Sequence, residues 1–255
     1  MNKKPGQVYL IGAGPGHPEL ITVRGQRLLQ HCDAVVYDYL LPDELIVLLP
    51  EHVEKHYVGK RAGKHMIPQD EINALLVNLA QQGKNVARLK GGDPFIFGCG
   101  SIEGAYLREH GIAFEIVPGI TSGIAGPAFV GIPATDRHAS SFLILATGHD
   151  AKDKEKSSVD WKLLGQASAG TLVLYMGVKN IADNVASLIE GGMPGDTPAA
   201  IVQRGTFASQ KYWRGTLATL PKLVEEHQIE PPVLFVIGKV VDLQPELEWF
   251  KELPL

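Results

Sequence analysis

Arg88-Leu-Lys-Gly-Gly-Asp-Pro-Phe-Ile-Phe-Gly-Cys-Gly100 is a glycine-dense loop that leaves one predicted strand and enters a predicted helix. Four glycines, a proline and a carboxylate fall within eleven residues. Glycine permits backbone conformations that other residues avoid and lets a ligand approach the main chain. The Asp93 carboxylate accepts hydrogen bonds from amines or hydroxyls, and Phe95 and Phe97 offer flat apolar surfaces. The loop predicts a small-molecule site; the alternative is a tight turn whose aromatic side chains belong to the core.

Composition limits the class of protein. With 255 residues, 45% of them hydrophobic, the chain is near the length at which one core becomes two, so two lobes are expected. No apolar run reaches the roughly 20 residues that span a bilayer, and no signal-peptide pattern is present, so we expect a cytoplasmic protein without a membrane partner. Cys32 and Cys99 indicate neither a disulfide scaffold nor a metal site. A net charge of −4 argues against nucleic acid as a partner.

A second glycine turn, Gly12-Ala-Gly-Pro-Gly-His-Pro18, joins a predicted strand to a predicted helix. A dinucleotide-binding fold shows glycines in the spacing G-x-G-x-x-G, whereas the third glycine here arrives one position early. Pro15 and Pro18 also remove amide donors that would bind phosphate. The turn therefore argues against a nicotinamide-dependent oxidoreductase.

Charged residues follow two other strands. Asp38 ends a predicted strand, where ligands bind in open α/β sheets; the alternative is that it caps a helix or shapes a turn. The segment 55–65 is rich in Lys, Arg and His and has no acidic residue. It fits either a solvated surface or the wall of a pocket for a polyanion.

Strands and helices alternate along the chain, which predicts an α/β fold whose N-terminal half is a parallel sheet with helices on both faces. We expect an N-terminal α/β domain over 1–120, a linker over 121–140 and a C-terminal α/β domain over 141–255. The predicted strands are 7–11, 34–37, 52–57, 85–89, 114–117, 141–147, 171–175, 199–203, 210–214 and 233–237, with a turn over 215–217 after the ninth strand. The predicted helices are 22–30, 43–49, 69–82, 102–109, 123–130, 180–189 and 220–227.

Nine segments, in order and at compatible spacing, resemble the tetrapyrrole methylase family, most closely its uroporphyrinogen-III C-methyltransferase branch. They cover nearly the whole chain. The segments are Val8-Tyr-Leu-Ile-Gly-Ala-Gly-Pro-Gly16, Val36-Tyr-Asp38, Gly59-Lys-Arg-Ala-Gly-Lys-His65, Arg88 to Gly98, Val117-Pro-Gly-Ile-Thr-Ser122, Gly131-Ile-Pro133, Thr147-Gly-His149, Tyr175-Met-Gly177 and Gly205-Thr206.

The resemblance implies two α/β domains with S-adenosylmethionine in the cleft between them, a tetrapyrrole substrate and a homodimer. It implies that Asp38 is a proton acceptor, that Lys60 is a proton donor and that Arg137 is a basic residue near the tetrapyrrole. The residues that it implies as contacts of S-adenosylmethionine are Pro15, Gly91, Gly92, Asp93, Ile96, Thr121, Ser122, Met176 and Gly205. The implied reaction is two successive C-methylations of uroporphyrinogen III, which give precorrin-2.

The chain departs from the family pattern directly after Gly98. Where the family continues Arg-Gly-Gly-Glu-Glu, this chain has Cys99-Gly-Ser-Ile-Glu103. A thiol cannot pair with a carboxylate as a guanidinium does. Three alternatives follow: the usual reaction with another basic residue compensating, methylation of another tetrapyrrole, or a catalytically weakened tetrapyrrole-binding protein. More distant relatives of the fold methylate protein or RNA.

Overall fold

The computed structural model describes residues 4–59, 67–148 and 159–250. The chain divides into two compact units, Met1–Thr121 and Ser122–Leu255. Each unit contains a five-stranded sheet, as the alternation of apolar runs and amphipathic segments predicts. Across the described ranges, no helix is both long enough and apolar enough to cross a membrane.

The first unit is built on a fully parallel sheet in the order β3-β2-β4-β1-β5. Because all five strands run the same way, their carboxyl ends lie at one edge, where open α/β sheets bind ligands. The strands are β1 (Val8–Gly12), β2 (Ala34–Tyr37), β3 (Glu54–Tyr57), β4 (Val86–Lys90) and β5 (Phe114–Val117).

Helices cover both faces of this sheet, as predicted. One core joins the sheet to Leu76 and Leu107, and a second joins its other face to Leu29 and Leu45. Central strands buried on both faces explain the nearly continuous apolar runs of β1 and β2. The helices are α1 (Val23–His31), α2 (Asp43–Val47), α3 (Gln69–Gln81) and α4 (Gly100–Glu109).

The second unit has a mixed sheet in the order β6-β7-β10-β8-β9. Strand β10 (Val233–Ile237) is antiparallel to β7 (Thr171–Tyr175) and β8 (Pro198–Gln203), while β6 (Leu143–Thr147) is parallel to β7. Strands β6, β7 and β8 therefore end at the same edge. Strand β9 (Lys211–Thr216) pairs antiparallel with β8. The helices are α5 (Ser122–Phe129), α6 (Trp161–Gly165), α7 (Ile181–Glu190), α8 (Leu220–Glu226) and α9 (Gln244–Leu247).

All ten predicted strands and all seven predicted helices are present within a few residues of their predicted bounds in the described part of the chain. The stretch predicted as a linker, 121–140, contains α5, and from Ser122 it belongs to the second unit. Its residue Ile132 is fully buried. Helices α6 and α9 were not predicted, because five and four residues are too few to show a helical period.

Glycine backbones meet closely at the carboxyl edge of the first sheet. Gly14 and Gly92 exchange hydrogen bonds, from Gly92 N to Gly14 O at 2.7 Å and from Gly14 N to Gly92 O at 3.3 Å. A Cβ atom on Gly12 would lie 2.6 Å from the Cα atom of Gly119. A Cβ atom on Gly119 would overlap the carbonyl oxygen of Gly92. The loops that follow β1, β4 and β5 are therefore held together by main-chain contacts that only glycine permits.

We expect Gly119→Ala to lower the free energy of unfolding by about 2 kcal/mol, because the added methyl group has no room beside the main chain of Gly92. Gly111→Ala is the comparison: Gly111 has φ +68° and open space around its Cβ position, so alanine there costs only backbone strain of about 1 kcal/mol. Urea denaturation measures both. A loss at Gly119 no larger than that at Gly111 would contradict the close approach of the loops.

Candidate functional site

Asp93 ties two loops together. Its Oδ1 atom accepts a hydrogen bond from Phe95 N at 2.8 Å, and its Oδ2 atom accepts one from Gly119 N at 3.0 Å. The carboxylate thus holds the loop after β4 against the loop after β5. Each carboxylate oxygen has capacity for a further hydrogen bond, so the same residue can still receive a donor from a ligand.

The aromatic residues of the glycine-dense loop are on the surface. Phe95 is 56% exposed and Phe97 is 43% exposed, so the alternative that they belong to the core is wrong. Other exposed apolar side chains stand nearby along the same edge, on the loops after β2 and β5: Tyr39, Leu40 and Ile120. An exposed apolar group around a glycine main chain is typical of a binding surface.

A buried ion cluster lies beneath this loop. The Glu103 carboxylate, on α4, accepts hydrogen bonds from Arg88 Nε at 3.0 Å and from Lys90 Nζ at 3.0 and 2.9 Å. Gln69 Nε2 donates to the same carboxylate at 3.3 Å. Glu103 is fully buried and both cations are nearly so. Burial lowers the pKa of Lys90, and neighbouring Arg88 lowers it further, while Glu103 opposes both effects.

This ion cluster was not predicted from the sequence. Its signal was available in Val86-Ala-Arg-Leu-Lys90, where two cations alternate with apolar residues in a predicted central strand. Residues two apart on a strand point to the same face, so both cations had to meet a partner on one covering helix.

Asp38 stands at the end of β2 and is held from two sides. Its Oδ1 atom accepts a hydrogen bond from Leu40 N at 3.3 Å, and its Oδ2 atom lies 3.6 Å from Arg88 Nη2. Asp38 therefore shapes a turn through Oδ1, as the alternative interpretation predicts. Its Oδ2 atom remains able to take part in proton transfer. Lys60, the predicted proton donor, lies outside the described residues, as does the rest of the basic segment 55–65 from residue 61 onward.

The carboxyl edge of the first sheet gathers most of the predicted site residues of that unit. Pro15 is buried in the turn after β1, and Ile96 is partly exposed in the loop after β4. Thr121 is largely buried at the end of the loop after β5. The residues that the structure brings to this edge are Pro15, Asp38, Gly91, Gly92, Asp93, Ile96 and Thr121.

In the second unit, the shared edge of β7 and β8 carries Met176 and Gly205. Met176 is 53% exposed and has φ +53°. The start of α5, at Ser122, comes to this edge because Gly123 N donates a hydrogen bond to the Tyr175 hydroxyl at 2.7 Å. A Cβ atom on Gly205 would lie 2.8 Å from the Cα atom of Gly126, so glycine lets α5 pack closely there.

Arg137 is not placed with those residues. It is exposed in a turn where Asp136 Oδ1 accepts hydrogen bonds from His138 N at 2.8 Å and Ala139 N at 2.9 Å, which lower the pKa of Asp136. Ser140 Oγ accepts a hydrogen bond from Thr171 Oγ1 at 2.8 Å, at the start of β7. The turn therefore leads to the edge opposite the one that carries Met176.

A family model and several known proteins match this chain. The family model for tetrapyrrole (corrin/porphyrin) methylases matches residues 7–221. The chain belongs to this family. The family predicted from the nine segments and the two-unit α/β fold are both confirmed.

Three members of the family illustrate the likeness. A siroheme synthase from Pseudomonas putida is 49% identical over 246 residues, which are 96% of this chain and 52% of that protein. The chain thus spans about half the length of this relative. The uroporphyrin-III C-methyltransferase from Thermus thermophilus, complexed with S-adenyl homocysteine, is 34% identical with a TM-score of 0.77, covering 93% of this chain and 100% of that one. A cobalt precorrin-4 methyltransferase is 28% identical with a TM-score of 0.82, covering 92% and 96%.

We expect Glu103→Gln to lower the free energy of unfolding by about 3 kcal/mol or more, because it leaves buried Lys90 without an anionic partner and leaves Arg88 with only the longer contact to Asp38. Glu115→Gln is the matched control: it breaks the exposed ion pair with Arg24 and should leave stability close to that of the wild type. Urea denaturation of the three proteins decides. Equal stabilities for the two variants would contradict the buried cluster.

The two thiols should differ sharply in reactivity. Burial raises the pKa of Cys32 to about 11, and its Sγ donates to Leu29 O at 3.3 Å, whereas Cys99 is exposed. Since only the thiolate reacts, a thiol reagent at about pH 8 should label Cys99 alone in the native protein and both cysteines in denaturant. Mass spectrometry of labelled peptides checks this, with Cys99→Ser as the control. Labelling of Cys32 in the native protein would show that the chain at the end of α1 opens readily.

Proposed function

We propose that this protein is an S-adenosylmethionine-dependent C-methyltransferase that methylates uroporphyrinogen III twice and so forms precorrin-2. The observation that carries the proposal is its likeness, over nearly the whole length of both chains, to a uroporphyrin-III C-methyltransferase solved with S-adenyl homocysteine. The similarity to a siroheme synthase agrees with this assignment.

The described residues fit S-adenosylmethionine. Its adenosine is flat and partly apolar and carries polar groups at its edges. The exposed Phe95, Ile96, Phe97 and Met176 offer apolar surface, and the glycine loops expose main-chain groups. The residues that we propose to contact it are Pro15, Gly91, Gly92, Asp93, Ile96, Thr121, Ser122, Met176 and Gly205. The soft thioether of Met176 suits an adenine ring or a sulfonium.

In the proposed reaction, a pyrrole carbon of the substrate attacks the methyl group of the sulfonium. The carbon–sulfur bond breaks, its electron pair stays on sulfur, and S-adenosylhomocysteine is left as a neutral thioether. The methylated ring then loses a proton, for which Asp38 is the proposed acceptor and Lys60 the proposed donor in the following transfers. Holding the methyl group in line with the carbon and excluding water supply most of the rate, with acid–base help as a smaller factor.

The substrate's eight carboxylates require cations on the protein. Lys55 and Arg204 are exposed cations that suit this purpose, and Arg204 follows β8 at the edge that carries Met176. Arg137 is also exposed, but its turn leads to the opposite edge of the sheet, so its role near the tetrapyrrole stays a prediction. The guanidinium of Arg204 is fixed by a hydrogen bond from Nε to Ser209 Oγ at 2.6 Å and by the Phe207 ring 4.9 Å away. A homodimer and a cytoplasmic location stay predictions, the first of them testable by light scattering.

Incubation with anaerobically prepared uroporphyrinogen III and S-adenosylmethionine should give a product carrying two added methyl groups, detected by mass spectrometry. No mass gain over a control without enzyme would refute the proposed reaction.

Asp93→Ala should weaken binding of S-adenosylhomocysteine by about tenfold, because the loops after β4 and β5 lose the carboxylate that joins them. Calorimetry measures that binding.

A second candidate keeps the chemistry and changes the tetrapyrrole. It is favoured by the likeness to a cobalt precorrin-4 methyltransferase and by the exposure of Cys99 and Ile102, where the family pattern has charged residues. Comparing the native chain with Cys99→Arg on uroporphyrinogen III separates the cases. Full activity of the native chain supports the usual substrate, whereas a large gain in the variant indicates another substrate or a weakened enzyme.

A further inference from the structure

The three nitrogen atoms of the Arg88 guanidinium contact different groups. Its Nε atom donates to Glu103 Oε1 at 3.0 Å. Its Nη1 atom donates to the main-chain oxygens of Leu89, at 3.1 Å, and Val36, at 3.4 Å. The Nη2 atom lies 3.6 Å from Asp38 Oδ2. Three of these contacts fix the plane of the guanidinium, and the fourth presents its charge to the end of β2.

Neutralising Glu103 does not by itself explain this arrangement. Lys90 Nζ already lies within hydrogen-bond distance of both oxygens of that carboxylate. A second buried cation is costly to desolvate unless it has a further anionic partner. Asp38 supplies that partner, because its carboxylate lies at ion-pair distance from Arg88. The Asp38 side chain is also partly exposed at the surface.

Arg88 is also too buried to touch a substrate. Its side chain is only 4% exposed, compared with 26% for Asp38. Any effect of the guanidinium on chemistry at this edge must therefore pass through Asp38. The Asp38 carboxylate is contacted by the Leu40 amide at Oδ1 and by the Arg88 guanidinium at Oδ2, and these two contacts together set its orientation.

We propose that Arg88 is a positioning residue for methyl transfer: locked by Glu103 and two main-chain carbonyls, it orients the Asp38 carboxylate that accepts the proton. The proposal rests on the proposed function, in which Asp38 is the proton acceptor. It assigns the buried cluster under the glycine-dense loop a second purpose besides stability. Arg88 itself contacts neither substrate nor methyl donor.

A double-mutant cycle tests the proposal with Arg88→Met, Asp38→Ala and the combined variant. Arg88→Met should lower kcat by about 10- to 100-fold, since a misplaced group costs that much, with KM for both substrates within about twofold of wild type. In the Asp38→Ala background the same change should cost less than about twofold, because the group that Arg88 orients is gone. Arg88→Lys, which keeps the charge without the fork, should have a kcat between those of Arg88→Met and wild type.

Arg24→Met is the control, since Arg24 forms a surface ion pair with Glu115 and should leave kcat unchanged. Urea denaturation verifies that each variant is folded, and Arg88→Lys replaces Arg88→Met if the latter is not. An equal fold-loss in both backgrounds, a loss confined to KM, or full activity of Asp38→Ala would overturn the proposal.

A second measurement needs no turnover. Heteronuclear NMR of the aspartate carboxyl groups, with the Asp38 signal identified by its absence in Asp38→Ala, should show that signal displaced in Arg88→Met and unmoved in Arg24→Met. An unmoved signal in Arg88→Met would overturn the positioning role. If the wild type methylates no tetrapyrrole, the proposed function fails, and the NMR result still decides whether Arg88 holds Asp38.

Discussion

Two buried cations of the first unit, Arg88 and Lys90, both form ion pairs with the carboxylate of Glu103. Arg88 and Lys90 belong to the central strand β4, whereas Glu103 belongs to α4, the helix that follows the glycine-dense loop. The ion pairs therefore fix the two ends of that loop relative to each other. An unpaired buried charge would cost several kcal/mol, so the pairing strongly favours a single placement of α4 against the sheet. The conformation of the glycine-dense loop between β4 and α4 is constrained as a result.

Above this cluster the candidate site is made largely of main chain. Gly14 and Gly92 exchange hydrogen bonds, Gly12 and Gly119 approach without side chains, and Asp93 bridges two loops through their amide groups. A surface built in this way is rigid, because every loop is held by its neighbours. It presents exposed apolar side chains on a fixed support, which suits the accurate alignment that the proposed methyl transfer requires.

The departure from the family pattern is confined to the surface. Cys99 is exposed with φ +58°, and Ile102 is exposed on the first turn of α4, whereas Glu103, which agrees with the pattern, is completely buried. The changed positions can alter what the site binds without weakening the core beneath it. The buried groups of the fold are thus unchanged, and under the proposed function the choice of tetrapyrrole depends on the exposed positions.

From the sequence alone one could derive the strands and helices and the loops that carry the candidate site, and the resemblance of nine segments indicated the family. The strands, helices and loops depend on local patterns: apolar runs of strand length, helical spacing, and glycine or proline at turns. Only the tertiary structure showed that Arg88, Lys90 and Glu103 form one cluster, that Asp93 is bonded to Gly119, and that Arg137 leads to the far edge of its sheet. Each of these facts depends on tertiary packing: of α4 against β4, of the loop after β4 beside the loop after β5, and of the turn around Arg137 against the start of β7. The sheet order β3-β2-β4-β1-β5 brings together residues far apart in the chain, and no local period records which partner a buried charge will meet.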